Sequence, residues 1–187
     1  FRFAVAQRCR TSARSCPQLT VRTAKICILG DFAVGKTSTI GRFVNNVFSD
    51  EYLTTVGVKI DTKLVETVNG PVKLVIWDIA GTDELSGIEL AYLRGSTGFI
   101  LVADGTRRET LTNAIGLVTD LRAQYGALPF VAMLNKADLS HQWEITDDNL
   151  QVSREAGIEW IRCSAKTGDN VERAIGQLAE TITSPAR

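Results

Sequence analysis

The residues best equipped to do chemistry sit together in Gly30–Ser38, which reads GDFAVGKTS. A glycine, four residues and then Gly35-Lys36-Thr37 form the pattern G-x-x-x-x-G-K-[ST], whose residue types answer the needs of a bound triphosphate. Backbone N–H groups must point inward from a tight loop, and a side chain at either glycine would block that approach. Lys36 brings a point charge to the outer phosphates and Thr37 offers a hydroxyl to Mg²⁺, while a helix starting here turns its positive end to the anion. Asp31, Phe32, Ala33, Val34, Gly35, Lys36, Thr37 and Ser38 are therefore expected to wrap the phosphate chain.

Three later segments supply complementary chemistry. The apolar run KLVIW ends in Asp78 and continues Ile79-Ala80-Gly81. A carboxylate at the end of a buried strand is the usual second anchor for Mg²⁺ beside a phosphate loop, so Thr37 and Asp78 read as a pair of metal ligands. Gly81 can bring its N–H close to a terminal phosphate. The run FVAML leads into Asn135-Lys136-Ala137-Asp138. Two oxygens of one Asp carboxylate match the N1 and N2 donors on the guanine edge. Adenine lacks that pair, and a site left with unpaired buried polar groups rejects it strongly. The alkyl stem of Lys136 can lie against the base, and Ser164-Ala165-Lys166 can close over it with backbone N–H groups.

These segments need elements to hold them. Ala24–Leu29 reads as a buried strand before the loop, with a helix over Ser38–Asn46 after it. Strands are expected at Val56–Val68 and Val72–Trp77, made antiparallel by the hairpin pair Asn69-Gly70. Gly98–Ala103 is a further strand, and Thr106-x-x-Glu109 reads as a capping box opening a helix that buries Leu111, Ile115, Val118 and Leu121. Then follow a strand at Pro129–Leu134, a short helix at Asp147–Ala156, a strand at Ile158–Cys163 and a last helix carrying Val171, Ile175, Leu178 and Ile182 inward. Alternating strands and helices imply a mostly parallel α/β sheet covered on both faces, with ligands at the strands' carboxyl ends.

At 187 residues the chain is one domain plus a tail, and 44% hydrophobic with 22% charged residues suits a soluble globular protein. Its apolar runs are too short to span a bilayer. Residues 1–25 hold five arginines and one lysine and no acid. That leaves 15 basic against 21 acidic residues elsewhere, a net of about −6, which argues against nucleic acid as a partner. Residues 1–22 are expected to be a basic disordered extension, an organellar presequence being the alternative, and residues 23–183 the working domain. Of four cysteines, Cys27 and Cys163 fall in strands as buried thiols and Cys9 and Cys16 lie in the arm. His141 is expected to be exposed, Trp77 to join the core and Trp143 to face a partner.

Taken in order, GDFAVGKTS, YLTTVGV, WDIAG, NKAD and SAK resemble the five motif regions of the small GTPases of the Ras superfamily, nearest the Rab and Ras/Rap branches. The resemblance implies the Ras-like P-loop NTPase fold, with a six-stranded, mostly parallel sheet that has one antiparallel strand. It implies a guanine-nucleotide-binding switch that holds GTP or GDP with Mg²⁺ and hydrolyses GTP, in vesicle transport or signalling. By position, Phe48 corresponds to the aromatic on the guanine edge, Tyr52 to the tyrosine folding over the phosphates and Thr55 to the threonine that ligates Mg²⁺. Lys36, Thr55, Gly81 and Thr82 would then stand around the reacting phosphate. Effectors, exchange factors and GTPase-activating proteins would engage switch I, about 48–58, and switch II, about 78–92. A cytoplasmic location, at times peripheral to a membrane, is implied as well, although this chain has no cysteine near its carboxyl end for the prenylation its relatives carry.

Two departures bear on turnover. Thr82 stands where most relatives carry the glutamine that orients the attacking water, so slow intrinsic hydrolysis is expected. Phe32 replaces a small residue beside the γ-phosphate, where bulk would crowd an arginine finger. A GTP-loaded scaffold with little or no hydrolysis is the alternative, and a phosphate-loop kinase or ATPase is disfavoured by Asn135 and Asp138.

Overall fold

The computed structural model describes residues 21–49, 54–80 and 91–185. Strands β1 (Arg22–Leu29), β2 (Val58–Val65), β3 (Val72–Ile79), β4 (Gly98–Asp104), β5 (Phe130–Asn135) and β6 (Trp160–Arg162) form one sheet in the order β2-β3-β1-β4-β5-β6. All neighbours pair parallel except β2, which runs antiparallel on the outer edge of β3. Chain order reverses direction at β1, which lies between β3 and β4. A crevice therefore opens at the carboxyl ends of these strands, the place where doubly wound sheets bind ligands.

The period-two side-chain alternation of the strands builds two cores. On one face Ile26, Ile28, Ile76, Ile100, Val102 and Met133 pack against helices α1 (Lys36–Asn45) and α4 (Val171–Thr183) through Ile40, Phe43, Ile175 and Leu178. On the other, Cys27, Leu29, Leu101, Ala103 and Leu134 meet α2 (Arg108–Tyr125) through Leu111, Ala114 and Val118, and α3 (Asp147–Glu155) through Leu150. β4 is buried along its whole length, as a strand covered on both faces must be. Cys27 and Cys163 are buried free thiols, and burial pushes Cys163 up to about 12, where it is inert. His141 is exposed. The sheet starts at Arg22, one residue inside the expected arm.

Two local expectations are corrected. Asn69-Gly70 does not make a two-residue hairpin, because β2 stops at Val65. The Gly70 N–H donates to the Thr67 carbonyl at 3.0 Å, which makes Val68 and Asn69 the central pair of the turn. The Thr67 hydroxyl accepts from the Asn69 N–H at 3.2 Å and the Glu180 carboxylate takes the Val68 N–H at 3.1 Å, so side chains satisfy a different turn. Thr106-x-x-Glu109 does not cap α2 either. Arg107 is the residue before that helix, and Thr106 commits its N–H (2.9 Å) and hydroxyl (2.7 Å) to Asp104 Oδ1. A capping box forms instead on α3, where Asn149 Oδ1 accepts from the Thr146 N–H at 3.0 Å and the Thr146 hydroxyl faces the Asn149 N–H at 3.5 Å. Replacing Thr146 by Ala is expected to cost about 1 kcal/mol of unfolding free energy, read from the denaturant midpoint at unchanged slope.

Candidate functional site

The loop after β1 is built around three left-handed or glycine-only conformations. Gly30 has φ 143°, Ala33 φ 61° and Gly35 φ 96°. A Cβ at Gly30 would come within 2.1 Å of the Val102 carbonyl oxygen, and one at Gly35 within 2.3 Å of Asn135 Nδ2. The two glycines of the motif are thus required by the neighbouring strands as well as by a ligand. Lys36 folds back over the loop, its Nζ donating to the carbonyls of Gly30 (2.8 Å) and Asp31 (2.9 Å). An ammonium tethered in this way stands at the loop mouth as a fixed positive charge.

Beneath the loop the three expected metal-ligand residues meet. Thr37 Oγ1 lies 2.6 Å from Thr55 Oγ1 and donates to Asp78 Oδ2 at 2.5 Å. Of the neighbouring threonines, it is Thr55, the one the resemblance points to, whose hydroxyl meets that of Thr37. Asp78 is fully buried, and its Oδ1 has no hydrogen-bond partner among the described residues. Burial raises its pKa, against the opposing pull of the Thr37 hydrogen bond and the Lys36 charge. A buried carboxylate with one oxygen unsatisfied and two hydroxyls beside it calls for a cation. Among the described residues no cluster of three His, Cys, Asp or Glu exists. The donor set, one carboxylate and two hydroxyls, suits Mg²⁺, an oxygen-seeking ion that keeps phosphate and water in its remaining positions.

Asn135 joins the loops at the other end of the crevice. Its Nδ2 donates to the Val34 carbonyl at 2.9 Å, and its Oδ1 accepts from the Ala165 N–H at 3.0 Å. One buried amide therefore ties the phosphate loop to both base-side loops. Asp138 accepts from the Ser164 hydroxyl through Oδ1 at 2.6 Å, and Lys136 stands in a left-handed conformation at φ 67°. Phe32, Phe48, Lys136, Asp138 and Lys166 line one cleft with Thr37 and Ser38. Phe48 is half-buried, whereas Phe32 is 47% exposed at the loop's outer lip. The expectations for Tyr52, Gly81 and Thr82 lie outside the described residues.

Four residues escaped the sequence reading. Asp104, at the end of β4, is fully buried and gathers Thr106, the Arg107 Nε (3.2 Å) and the Lys136 Nζ (2.5 Å). Burial works to raise its pKa, but the bonds from Lys136 and Thr106 prevail and hold it below the usual carboxylate range. Arg107 reaches on to the Phe32 carbonyl at 2.6 Å. Arg42 of α1 grips the carbonyls of Ala165 (2.9 Å) and Lys166, and Asn113 of α2 donates to Asp31 Oδ2 at 2.9 Å. An acid ending an apolar strand was the available signal for Asp104, the same one that marked Asp78. Trp143 is corrected too. It is part-buried, packed against the second core, and donates its indole N–H to the Lys136 carbonyl at 3.0 Å. Trp77 is part-buried against Tyr92, on the core side as expected.

Comparison with known proteins follows the same outline. The Ras family model matches residues 25–184. Ras-related protein RABA2d of Arabidopsis thaliana is 36% identical over 152 residues, 80% of this chain and 70% of the relative. Ras-related protein RABA2b of the same plant is 33% identical over 160 residues, 84% and 75% of the two chains. Ras-related protein Rab-4 of Dictyostelium discoideum is 34% identical over 162 residues, 84% and 78%.

The two buried carboxylates generate opposite expectations. Asp104 titrates below its unfolded value, so its contribution is present at neutral pH and is lost as pH falls through that depressed value. Asp104→Asn should cost about 2 kcal/mol by denaturant unfolding at pH 7 and flatten the acid limb of the stability profile. Asp78 titrates above its unfolded value, so its charge weakens the metal-free fold as pH rises through the folded pKa. Asp78→Asn should raise the Tm measured in EDTA above pH 7, by removing the cost of a buried charge.

Proposed function

The chain belongs to the Ras family, as a Rab-like small GTPase, and on that footing we propose how its own residues run a GTP-binding switch. The domain spans residues 23–183. Asn135 and Asp138 select guanine, Lys136 and Ser164-Ala165-Lys166 enclose it with Phe48, and the backbone of Asp31–Ser38 wraps the phosphates. Lys36 draws its charge to the β- and γ-phosphates. Thr37, Thr55 and Asp78 hold Mg²⁺, which when bound neutralises charge on the phosphate oxygens. The observation that carries this reading is the buried Asp78 carboxylate beneath the phosphate loop, anchored through one oxygen to Thr37 and with the other unpartnered among the described residues.

Thr55 senses the γ-phosphate through its place beside Thr37, and with Tyr52 orders switch I when GTP is bound. Gly81 does the same for switch II. Cleavage is in-line attack of water on the γ-phosphate with GDP as leaving group, and Thr82 is too short to orient that water as a glutamine would. Turnover is therefore slow. The ordered switches engage an effector, and an exchange factor and a GTPase-activating protein set the duration of each state, in vesicle transport or signalling on the cytoplasmic side of a membrane. Among the described residues no helix is long and apolar enough to cross one.

A second reading, a GTP-loaded scaffold without turnover, rests on Phe32, whose exposed ring stands at the lip of the phosphate loop. The two separate in one experiment. Single-turnover cleavage by the purified protein should be slow and Thr82→Gln should accelerate it by up to about 10²-fold, the scale on which a misplaced reacting group is felt. Nucleotide extracted from the protein should be mainly GDP. Extracted GTP, with no cleavage in either protein, would establish the scaffold.

A further inference from the structure

We propose that Trp143 is a positioning residue for the base-binding loop, holding the Lys136 peptide in the conformation that presents Asn135, Lys136 and Asp138 to guanine. The inference deepens the reading above and rests on it. Lys136 adopts φ 67° and ψ 38°, a conformation a residue with a Cβ keeps only when its surroundings enforce it. The surroundings hold it at both ends. Its Nζ pairs with Asp104, and its carbonyl takes two donors, the Leu139 N–H at 2.9 Å and the Trp143 indole N–H at 3.0 Å. The first of those donors is the ordinary closure of the 3₁₀ turn Ala137–Gln142. The second comes from beyond that turn and fixes its orientation.

The indole is itself immobilised by a backbone shaped to receive it. A Cβ at Gly105 would lie 2.2 Å from Trp143 Cε2 and 2.4 Å from Nε1, so only glycine admits the ring here. Gly105 is bonded to both sides of the lock. Its N–H donates to the Asn135 carbonyl at 3.0 Å and its carbonyl accepts from the Glu144 N–H at 3.1 Å. The Glu144 carboxylate in turn takes the Arg108 N–H at the start of α2, at 3.1 Å. The Arg162 guanidinium, 5.2 Å from the ring centroid, covers the indole from β6. Ends of β4, β5 and β6 thus converge on one side chain, and that side chain bonds the carbonyl of the base-loop lysine. No motif of the loop requires a tryptophan or a glycine at these positions; they specify each other by shape.

The test loads the full chain with methylanthraniloyl-GDP and follows its release into excess GDP. Trp143→Phe keeps an aromatic ring in the slot but deletes the donor, and should release the nucleotide about three- to tenfold faster, the range a single lost hydrogen bond spans. Because the loosened contact is at the base end, the same factor should persist in EDTA. Gly105→Ala should accelerate release by displacing the ring, and should add nothing in a Trp143→Ala background, since both changes then act through one lost contact. Release at the unaltered rate in Trp143→Phe, an acceleration that disappears in EDTA, or additive effects of Gly105→Ala and Trp143→Ala would each overturn the inference while leaving guanine binding intact. An unaltered protein that fails to retain methylanthraniloyl-GDP would overturn the underlying reading and this inference with it.

Discussion

One buried amide holds the binding crevice together. Asn135 donates to the Val34 carbonyl and accepts from the Ala165 N–H, so the phosphate loop and both base-side loops share a single small side chain. Both bonds are made in a nearly water-free setting, where an unpaired polar group costs about 1–3 kcal/mol. The constraint spreads outward. Gly35 is glycine partly because a Cβ would strike the Asn135 amide, and Gly30 because one would strike Val102. The crevice is consequently an agreement among the ends of β1, β4, β5 and β6, not a loop with accessories.

Two carboxylates at equivalent strand ends show how environment assigns roles. Asp104, ending β4, is surrounded by donors from Thr106, Arg107 and Lys136, and its charge is satisfied within the chain. Asp78, at the end of β3, has among the described residues one donor, Thr37, and an oxygen without a partner, and burial pushes its pKa up instead of down. Burial opposes the charge of both; at Asp104 the bonds from Lys136 and Thr106 outweigh it, and at Asp78 the Thr37 bond and the Lys36 charge do not.

Arg107 and Arg42 extend this logic to backbone carbonyls. Arg107 links Asp104 to the Phe32 carbonyl, and Arg42 links α1 to the carbonyls of Ala165 and Lys166. Guanidinium groups do this well because their donors lie in a fixed fork and stay charged. Through them the loop after β1, α1 and the loop after β6 share supports.

Much of this was legible in the chain. Local chemistry marks Gly30–Ser38, Asn135, Asp138 and Asp78 as expected site residues, and the structure gathers them at the carboxyl ends of neighbouring strands. Period-two and period-3.6 burial gave the strands and helices in their right order. At Asn69-Gly70 and Thr106 the structure departs from the local signal because a competing partner comes from far off in sequence or from the preceding strand, Glu180 for the first and Asp104 for the second. Only the tertiary structure could seat Trp143 against Gly105 and make Asp104 a hub. Each of those depends on which strand end lies beside which, and strand order is a property of the whole sheet that no local window of sequence carries.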